Sequence, residues 1–384
     1  MEPPNRTLKP LTTSMLPLDV IVDIISRLPV KSLLRFRCLS KFFRSLIDGQ
    51  DFINLHLKCS NEAHANRSLI LSGFTGIGTR IFSANFDSLD NCVEVDHPFK
   101  NCRYLRIYDT LVIGSCNGLL AMHNRMEGIM LLNPSTKEHK ILPVFIKDLC
   151  YCNAYFDGFG YDVATDDYKL VRIKVFNKPR LHSEVTVYSL KANSRKRIGN
   201  FPYHFLVKRG NGAFVDGVLH WVASRIPESD KNELIVGFDL KSEEFYEMPL
   251  PRVRDDAMSI EVEVLGGCLI LVCMYYSLQP CDVWLMKEYG VNDSWTKLFT
   301  FKEGAIGEVY SVKALAYSKS EDKVLVDINY GDLHWYDLKE RSLSSSVEIH
   351  GEQVDYYNVD LCVDSLVSIN AYIGGPAGRG RGTS

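Results

Sequence analysis

A chain of 384 residues, 46% hydrophobic and 24% charged, has ordinary globular composition and is long enough for two domains. Its net charge of −3 excludes a general electrostatic attraction to nucleic acid or to a membrane surface. Eleven cysteines without a C-x-x-C pair exclude a recognisable zinc site and leave reduced thiols as the plain reading. The charge is unevenly spread. Residues 15–58 carry seven Lys/Arg against four Asp/Glu, whereas residues 59–384 carry −7.

Residues 1–14 contain no apolar core, so they read as a disordered N-terminus rather than a signal peptide. From Leu16 to Leu28 the apolar residues Leu16, Val20, Ile21, Ile24, Ile25 and Leu28 recur at helical spacing, which predicts one apolar face. Pro17 suits the first turn, Asp19 favours the positive helix end, and Pro29 stops the helix. A second helix is predicted over Lys31–Cys38 and a third over Lys41–Ile47; Asp48-Gly49 then separates off Asp51-Phe52-Ile53-Asn54-Leu55. Three short helices enclose little core, so part of their apolar surface should seek a partner. The alternative is a helical cap packed on the domain that follows.

The strings Leu16-Pro17-Leu18-Asp19-Val20-Ile21, Ile25-Ser26-Arg27-Leu28-Pro29-Val30-Lys31-Ser32-Leu33 and Arg37-Cys38-Leu39-Ser40-Lys41 resemble the F-box. Phe43 stands where that family usually has Trp, which keeps the apolar bulk. The resemblance implies docking to a Skp adaptor and, through it, to cullin and the ubiquitin-transfer machinery. The implied contacts are Leu16, Pro17, Val20, Ile21, Ile24, Leu28, Pro29, Leu33 and Cys38, with Lys31, Arg35 and Arg37 as a basic rim facing an acidic adaptor.

After Lys58 the pattern changes to short alternating strands and turns. Six apolar strands end at turn positions Asn85, Asn133, Ser189, Asp239, Lys287 and Asp337, separated by 48, 56, 50, 48 and 50 residues. A period near fifty in an all-β chain predicts four-stranded propeller blades, six of them. Residues Leu361–Ile369 supply a late strand that would complete the first blade. Two packed β-sandwiches are the rival fold. The longest apolar run, Gly266–Tyr276, is too short to span a bilayer.

Several stretches here resemble the F-box-associated domain of plants. They are Ser115-Cys116-Asn117-Gly118-Leu119, Asn133-Pro134-Ser135-Thr136, Gly158-Phe159-Gly160-Tyr161-Asp162, Asp167-Tyr168-Lys169-Leu170-Val171-Arg172, Met286-Lys287-Glu288-Tyr289 and Ser294-Trp295-Thr296-Lys297. Within that family, Asn85-Phe86-Asp87-Ser88-Leu89-Asp90 and Asp282-Val283-Trp284-Leu285-Met286-Lys287-Glu288-Tyr289 resemble members that restrain constitutive expression of pathogenesis-related genes. That likeness implies turnover of intracellular nucleotide-binding, leucine-rich-repeat (NLR) immune receptors. Pollen S-locus F-box receptors share the architecture and are the alternative within the class.

Enzyme motifs are missing from the sequence. Gly76-Ile77-Gly78 reads as a turn rather than a dinucleotide loop, and Gly114-Ser115-Cys116-Asn117-Gly118 departs from G-x-S-x-G. His220-Trp221 and His334-Trp335 fall at matching strand positions and read as structural; Asp166-Asp167 and Asp255-Asp256 read as loops, and Arg195-Lys196-Arg197 as solvated surface. The tail from Gly374 to Gly382 cannot pack.

The expected architecture is α+β and multidomain, with a disordered 1–14, a three-helix F-box over 15–58 and a linker over 59–67. A six-bladed, propeller-like domain over 68–370 and a disordered Gly/Arg tail over 371–384 complete it. The expected function is a non-catalytic substrate receptor of a Skp–cullin–F-box ubiquitin ligase in nucleus and cytoplasm, without cofactor or metal. It would present a target, NLR immune receptors among the candidates, for proteasomal degradation. The competing readings are an enzyme that uses the propeller channel as its pocket, and an adaptor-bound scaffold that degrades nothing.

Overall fold

The computed structural model describes residues 16–74, 79–89, 92–101, 110–124, 127–142, 152–177, 181–205, 209–227, 233–275, 281–301, 309–349 and 356–372. The N-terminal segment 1–14, the Gly76-Ile77-Gly78 turn and the tail from Gly374 lie outside the described residues.

Helices α1 (Leu18–Ile25), α2 (Val30–Phe36) and α3 (Lys41–Ile47) sit where the apolar spacing and the prolines predict them. Pro17 and Pro29 are the N-caps of α1 and α2, and Ser40 caps α3 by accepting a hydrogen bond from the Phe43 N–H at 3.2 Å. The hook has a fourth helix, α4 (Gln50–Glu62), where the sequence reading stopped at three. Gly49 takes the extended N-cap conformation, and Phe52, Ile53, His56 and Ser60 then share one buried face. His56 is fully enclosed, and its Nε2 lies 2.9 Å from the Leu28 carbonyl, tying α4 to the end of α1. The expected linker 59–67 is therefore the last turn of α4, a short connection and the first residue of a strand.

The β region begins with β1 (Arg67–Phe74), β2 (Thr79–Asn85) and β3 (Val93–Val95). A meander follows, made of β4 (Thr110–Cys116), β5 (Leu119–Asn124), β6 (Gly128–Leu132) and β7 (His139–Leu142). The next two are β8 (Ala154–Asp162), β9 (Asp167–Phe176), β10 (His182–Ser189) and β11 (Ser194–Gly199), then β12 (Arg209–Val215), β13 (Val218–Ser224), β14 (Glu233–Asp239) and β15 (Glu244–Met248). After them come β16 (Ala257–Leu265), β17 (Cys268–Tyr275), β18 (Cys281–Met286) and β19 (Trp295–Phe301). The last meander is β20 (Val312–Tyr317), β21 (Lys323–Ile328), β22 (Asp332–Asp337) and β23 (Ser342–Ser346). Strand β24 (Tyr356–Val363) returns to pair antiparallel with β1, and α5 (Ile369–Tyr372) ends the described chain.

The six turn positions read from the sequence each fall at the end of the third strand of a four-stranded unit. The expectation of six separate blades is corrected: the described strands form five sheets, four of four strands and one of eight. Strands β8 and β12 pair in parallel from Arg209↔Tyr155 to Gly212↔Gly158, which joins two meanders into the eight-stranded sheet. Strand β24 lies beside both β20 and β4, so the innermost strands close a circuit. The late strand begins and ends earlier than 361–369, and residues 371–372, expected to be disordered, belong to α5.

The glycines of Gly158-Phe159-Gly160 follow from the parallel join. A Cβ on Gly160 would lie 2.3 Å from the Phe214 ring and 2.9 Å from Leu240 Cδ1. Any side chain there forces two meanders apart. We expect Gly160→Ala to destabilise the chain by about 2 kcal/mol, seen as a lower urea midpoint at unchanged slope. A midpoint equal to the parent's would reject close approach as the reason for the glycine.

Candidate functional site

Helix α1 divides its apolar residues into two stripes rather than one face. Ile25 is buried, and Ile21 and Leu28 are half-buried against the same cluster; with Val30, Leu33, Ile47, Phe52 and Ile53 they build the hook's core. Leu16, Val20 and Ile24, each four residues apart, point outward, with Leu16 57% and Ile24 50% exposed. A helix that is apolar on both sides is expected where one side meets its own fold and the other meets a partner.

The other residues assigned to the adaptor face separate in the same way. Pro17, Pro29, Lys31, Arg35 and Cys38 are exposed. Leu33 is 0% exposed, so its assignment as a contact is corrected: it fills the hook's own core. Arg37 is half-buried and paired with Asp48 at 2.6 Å, so it holds the α2–α3 region together rather than standing in an open basic rim. Leu18, Leu39 and Phe42 are exposed apolar residues that the sequence reading left off the face. Leu18 falls three residues before Ile21 and seven before Ile25, at the spacing of the buried stripe, so only the packing separates it. Phe43 keeps the aromatic role expected of it, packing edge-on against Phe42 and tilted against Phe36.

The hook is fastened to the β region. Its core residues and those around β4, β5, β8 and β9 form one continuous apolar cluster that also takes in Leu366, Val367 and Ile369. At the junction the Asp364 N–H donates to the Asn66 carbonyl at 2.6 Å, and Asn66 Nδ2 donates to Ser60 Oγ at 2.8 Å. Asn133 opens the Asn-Pro-Ser-Thr stretch, and its Nδ2 donates to the carbonyls of Ser365 and Val367.

The innermost strands β4, β8, β12, β16, β20 and β24 line a channel of about 2190 Å³. Ser60, Asn61, Glu62 and His64 of the hook lie at the mouth where those strands end. Arg252, Arg254, Met258, Ser311, Tyr330 and Asn358 lie toward the other mouth, where the strands begin. Between the mouths, Glu261 and Glu263 of β16, Asp327 of β21 and Asp360 of β24 surround Lys313 of β20, whose Nζ is 2.6 Å from Asp360 Oδ1. Burial pushes the Glu263 carboxyl up to about 8 and the Asp327 carboxyl up to about 6.

The remaining marked residues are structural. His220 on β13 contacts the Ala213 carbonyl through Nδ1 at 3.0 Å and the Tyr289 hydroxyl through Nε2 at 2.8 Å. Burial lowers it to about 4, so it stays neutral. His334 is on β22, the third strand of its unit, so the two His-Trp pairs do not occupy matching positions. Asp167 is corrected from loop to strand: it is buried in β9 and accepts from the Lys191 N–H at 2.8 Å. Among the described residues no group of His, Cys, Asp or Glu is arranged to hold a metal ion, and no helix is long and apolar enough to cross a membrane.

Residues 13–55 match the F-box domain family and residues 74–369 match the F-box associated beta propeller domain family. The chain is similar to the F-box protein CPR1 of Arabidopsis thaliana, with 37% identity over 377 residues, covering 92% of this chain and 88% of the relative. It is also similar to F-box protein At4g22390 of the same plant, at 32% identity over 377 residues, covering 91% and 90% of the two chains. A four-helix hook carrying an outward apolar stripe, joined to a β-propeller-like ring, thus places this chain in the family of F-box proteins with an F-box-associated propeller domain.

Proposed function

We propose that the chain is the substrate-recognition subunit of a Skp–cullin–F-box ubiquitin ligase, working in nucleus and cytoplasm. The observation that carries the reading is the Leu16, Val20 and Ile24 stripe, an apolar surface on a module whose own core is already filled by Leu33, Phe52 and Ile53. Leu16, Pro17, Val20, Ile24 and Pro29 would meet the Skp adaptor directly, and Lys31 and Arg35 would speed its approach. The propeller would hold a target beside the transferring enzyme, so that the rate gain comes from tethering rather than from chemistry in this chain.

The resemblance to immune-restraining plant F-box proteins makes intracellular NLR immune receptors the first targets to test. An S-locus-type receptor with other targets, or an adaptor-bound scaffold, remains as the competing outcome of the same experiments.

Leu16→Ala combined with Pro17→Ala should weaken adaptor binding at least tenfold, since truncating a buried interface anchor often costs ~2 kcal/mol or more. The measurement is a pull-down titration against purified adaptor, with circular dichroism to show that the β domain stays folded. Unchanged affinity would sink this assignment of the docking face.

The Leu16→Ala, Pro17→Ala variant leaves the shared core in place and should act as a trap that binds target without destroying it. With translation blocked, NLR receptor half-life should shorten under excess intact chain and lengthen under the trap, and proteasome inhibitor should abolish the shortening. Equal half-lives under intact chain, trap and empty control would reject NLR receptors as targets; the same result for every co-purifying protein would leave the scaffold reading.

A further inference from the structure

The channel wall holds an imbalance of charge that the fold itself does not resolve. Among the described residues, four acidic groups, Glu261, Glu263, Asp327 and Asp360, surround Lys313, and of these Asp360 is its ion-pair partner at 2.6 Å. Glu263 is otherwise bonded through the Ala314 N–H at 3.3 Å, and Asp327 through the Gly331 N–H at 2.6 Å. Both acids are held above the ordinary carboxylate range by burial, with Glu261 adding to the rise at Glu263 and Asp360 and Asp332 to the rise at Asp327. An added cation would relieve that crowding.

Two further observations concern the same channel. Trp221 is only 2% exposed and lines the channel, and its indole Nε1–H finds no acceptor among the described residues. The nitrogen-bearing edge of the ring lies against Gly212 of β12, where an added Cβ would be 3.1 Å from Nε1. The Trp221 ring packs over Gly158 and Gly212 with Phe156 and Leu219, so it forms part of the wall itself where β8 meets β12. At the mouth away from the hook, Tyr310 and Tyr330 are 59% and 57% exposed, with ring centroids 6.1 Å apart. Asn329 Oδ1 accepts from the N–H groups of Tyr310 and Ser311, fixing the two tyrosines beside each other. Exposed Met258 and the Arg254 guanidinium stacked on Tyr275 complete a rim of aromatic, Met and Arg residues, the types that carry binding energy at interfaces.

We propose that the channel mouth opposite the hook is the target-recognition site, and that it takes an extended basic segment of the target protein. A lysine or arginine side chain enters against Glu261, Glu263, Asp327 and Asp360. Flanking residues of the same segment lie on Tyr310 and Tyr330. The tyrosine faces also suit a cation on its way in. This inference deepens the receptor reading and rests on it.

The test uses the full chain, bound to its adaptor, to select from a library of randomised twelve-residue peptides. Arginine plus lysine should be enriched at least tenfold over aspartate plus glutamate at one position of the recovered peptides. The double variant Glu261→Gln with Glu263→Gln, close in shape, should lose that enrichment while binding adaptor as the parent does. Recovery of no peptides, recovery without a basic preference, or a preference that survives in the double variant would overturn the inference. Those outcomes with adaptor binding intact leave the receptor reading standing; loss of adaptor binding by the parent chain would strike the receptor reading instead.

Discussion

Strand β24 pairs with β1 from Arg67↔Val363 to Gly73↔Tyr356, and the rest of the molecule depends on that antiparallel seam. Without it the first sheet lacks its innermost strand and the circuit of inner strands stays open, leaving edges unpaired. The sequence distance spanned is nearly the whole β region, so the contact carries a large loop-closure cost that only the assembled ring can repay. The chain secures the seam from both sides. Ser68 Oγ and Ser135 Oγ both donate to Asp364, Asn133 holds the carbonyls of Ser365 and Val367, and Glu138 accepts from Ser368 Oγ and the Ile369 N–H. The hook enters at the same place through Asn66. Ring closure and hook orientation are therefore fixed by one set of contacts.

Buried polar links do comparable work between the strands. Arg172 has no exposed surface and meets Asp157 in a two-pronged pair at 2.7 and 2.8 Å on neighbouring strands β9 and β8. Lys169 bridges Asp162 at 3.0 Å and Glu243 at 3.3 Å, joining β9 to the turn before β15 in the next meander. The His220, Tyr289 and Tyr246 chain ties β13 and β15 to the turn after β18. Removing one partner of such a pair leaves a buried charge or donor unanswered, at a cost of roughly 3–5 kcal/mol for a buried ion pair. Replacing both partners by apolar groups can be nearly neutral, so these links say more about which strands must meet than about total stability.

These contacts also decide what could be read from the residues alone. The helices before Ile47 were legible because Pro17, Pro29 and Ser40 punctuate them, and the fifty-residue spacing was legible because each third strand ends in a turn. Helix α4 was missed because its buried positions include His56 and Ser60, polar residues that an apolar template does not count. The joining of two meanders was missed because parallel pairing of β8 with β12 leaves no turn signal, only glycines whose clearance is measured against distant Phe214, Leu219 and Trp221. At the candidate docking face, spacing identified α1 but could not separate Leu16, Val20 and Ile24 from Ile21 and Ile25. The division depends on where α2 and α4 pack, which is tertiary information.

The distribution of charge gives the two ends of the molecule different chemistry. The hook has a surplus of three positive charges over residues 15–58, while the remainder from residue 59 onward carries −7, part of it concentrated in the channel around Glu261, Glu263, Asp327 and Asp360. Opposite signs at separate ends discourage either surface from accepting the other's partner, because like charges brought together without compensation are strongly disfavoured. The hook lies at the mouth where the inner strands end, and the exposed Tyr310–Tyr330 pair lies at the mouth where they begin. A ligand at the distal mouth therefore leaves the outward stripe of α1 uncovered. Since the hook and ring share one apolar cluster, the offset between the two surfaces is built into the packing rather than left to a flexible linker. Tethering accelerates transfer only when the tether holds its cargo within reach, and a stiff junction meets that condition with the least loss of effective concentration.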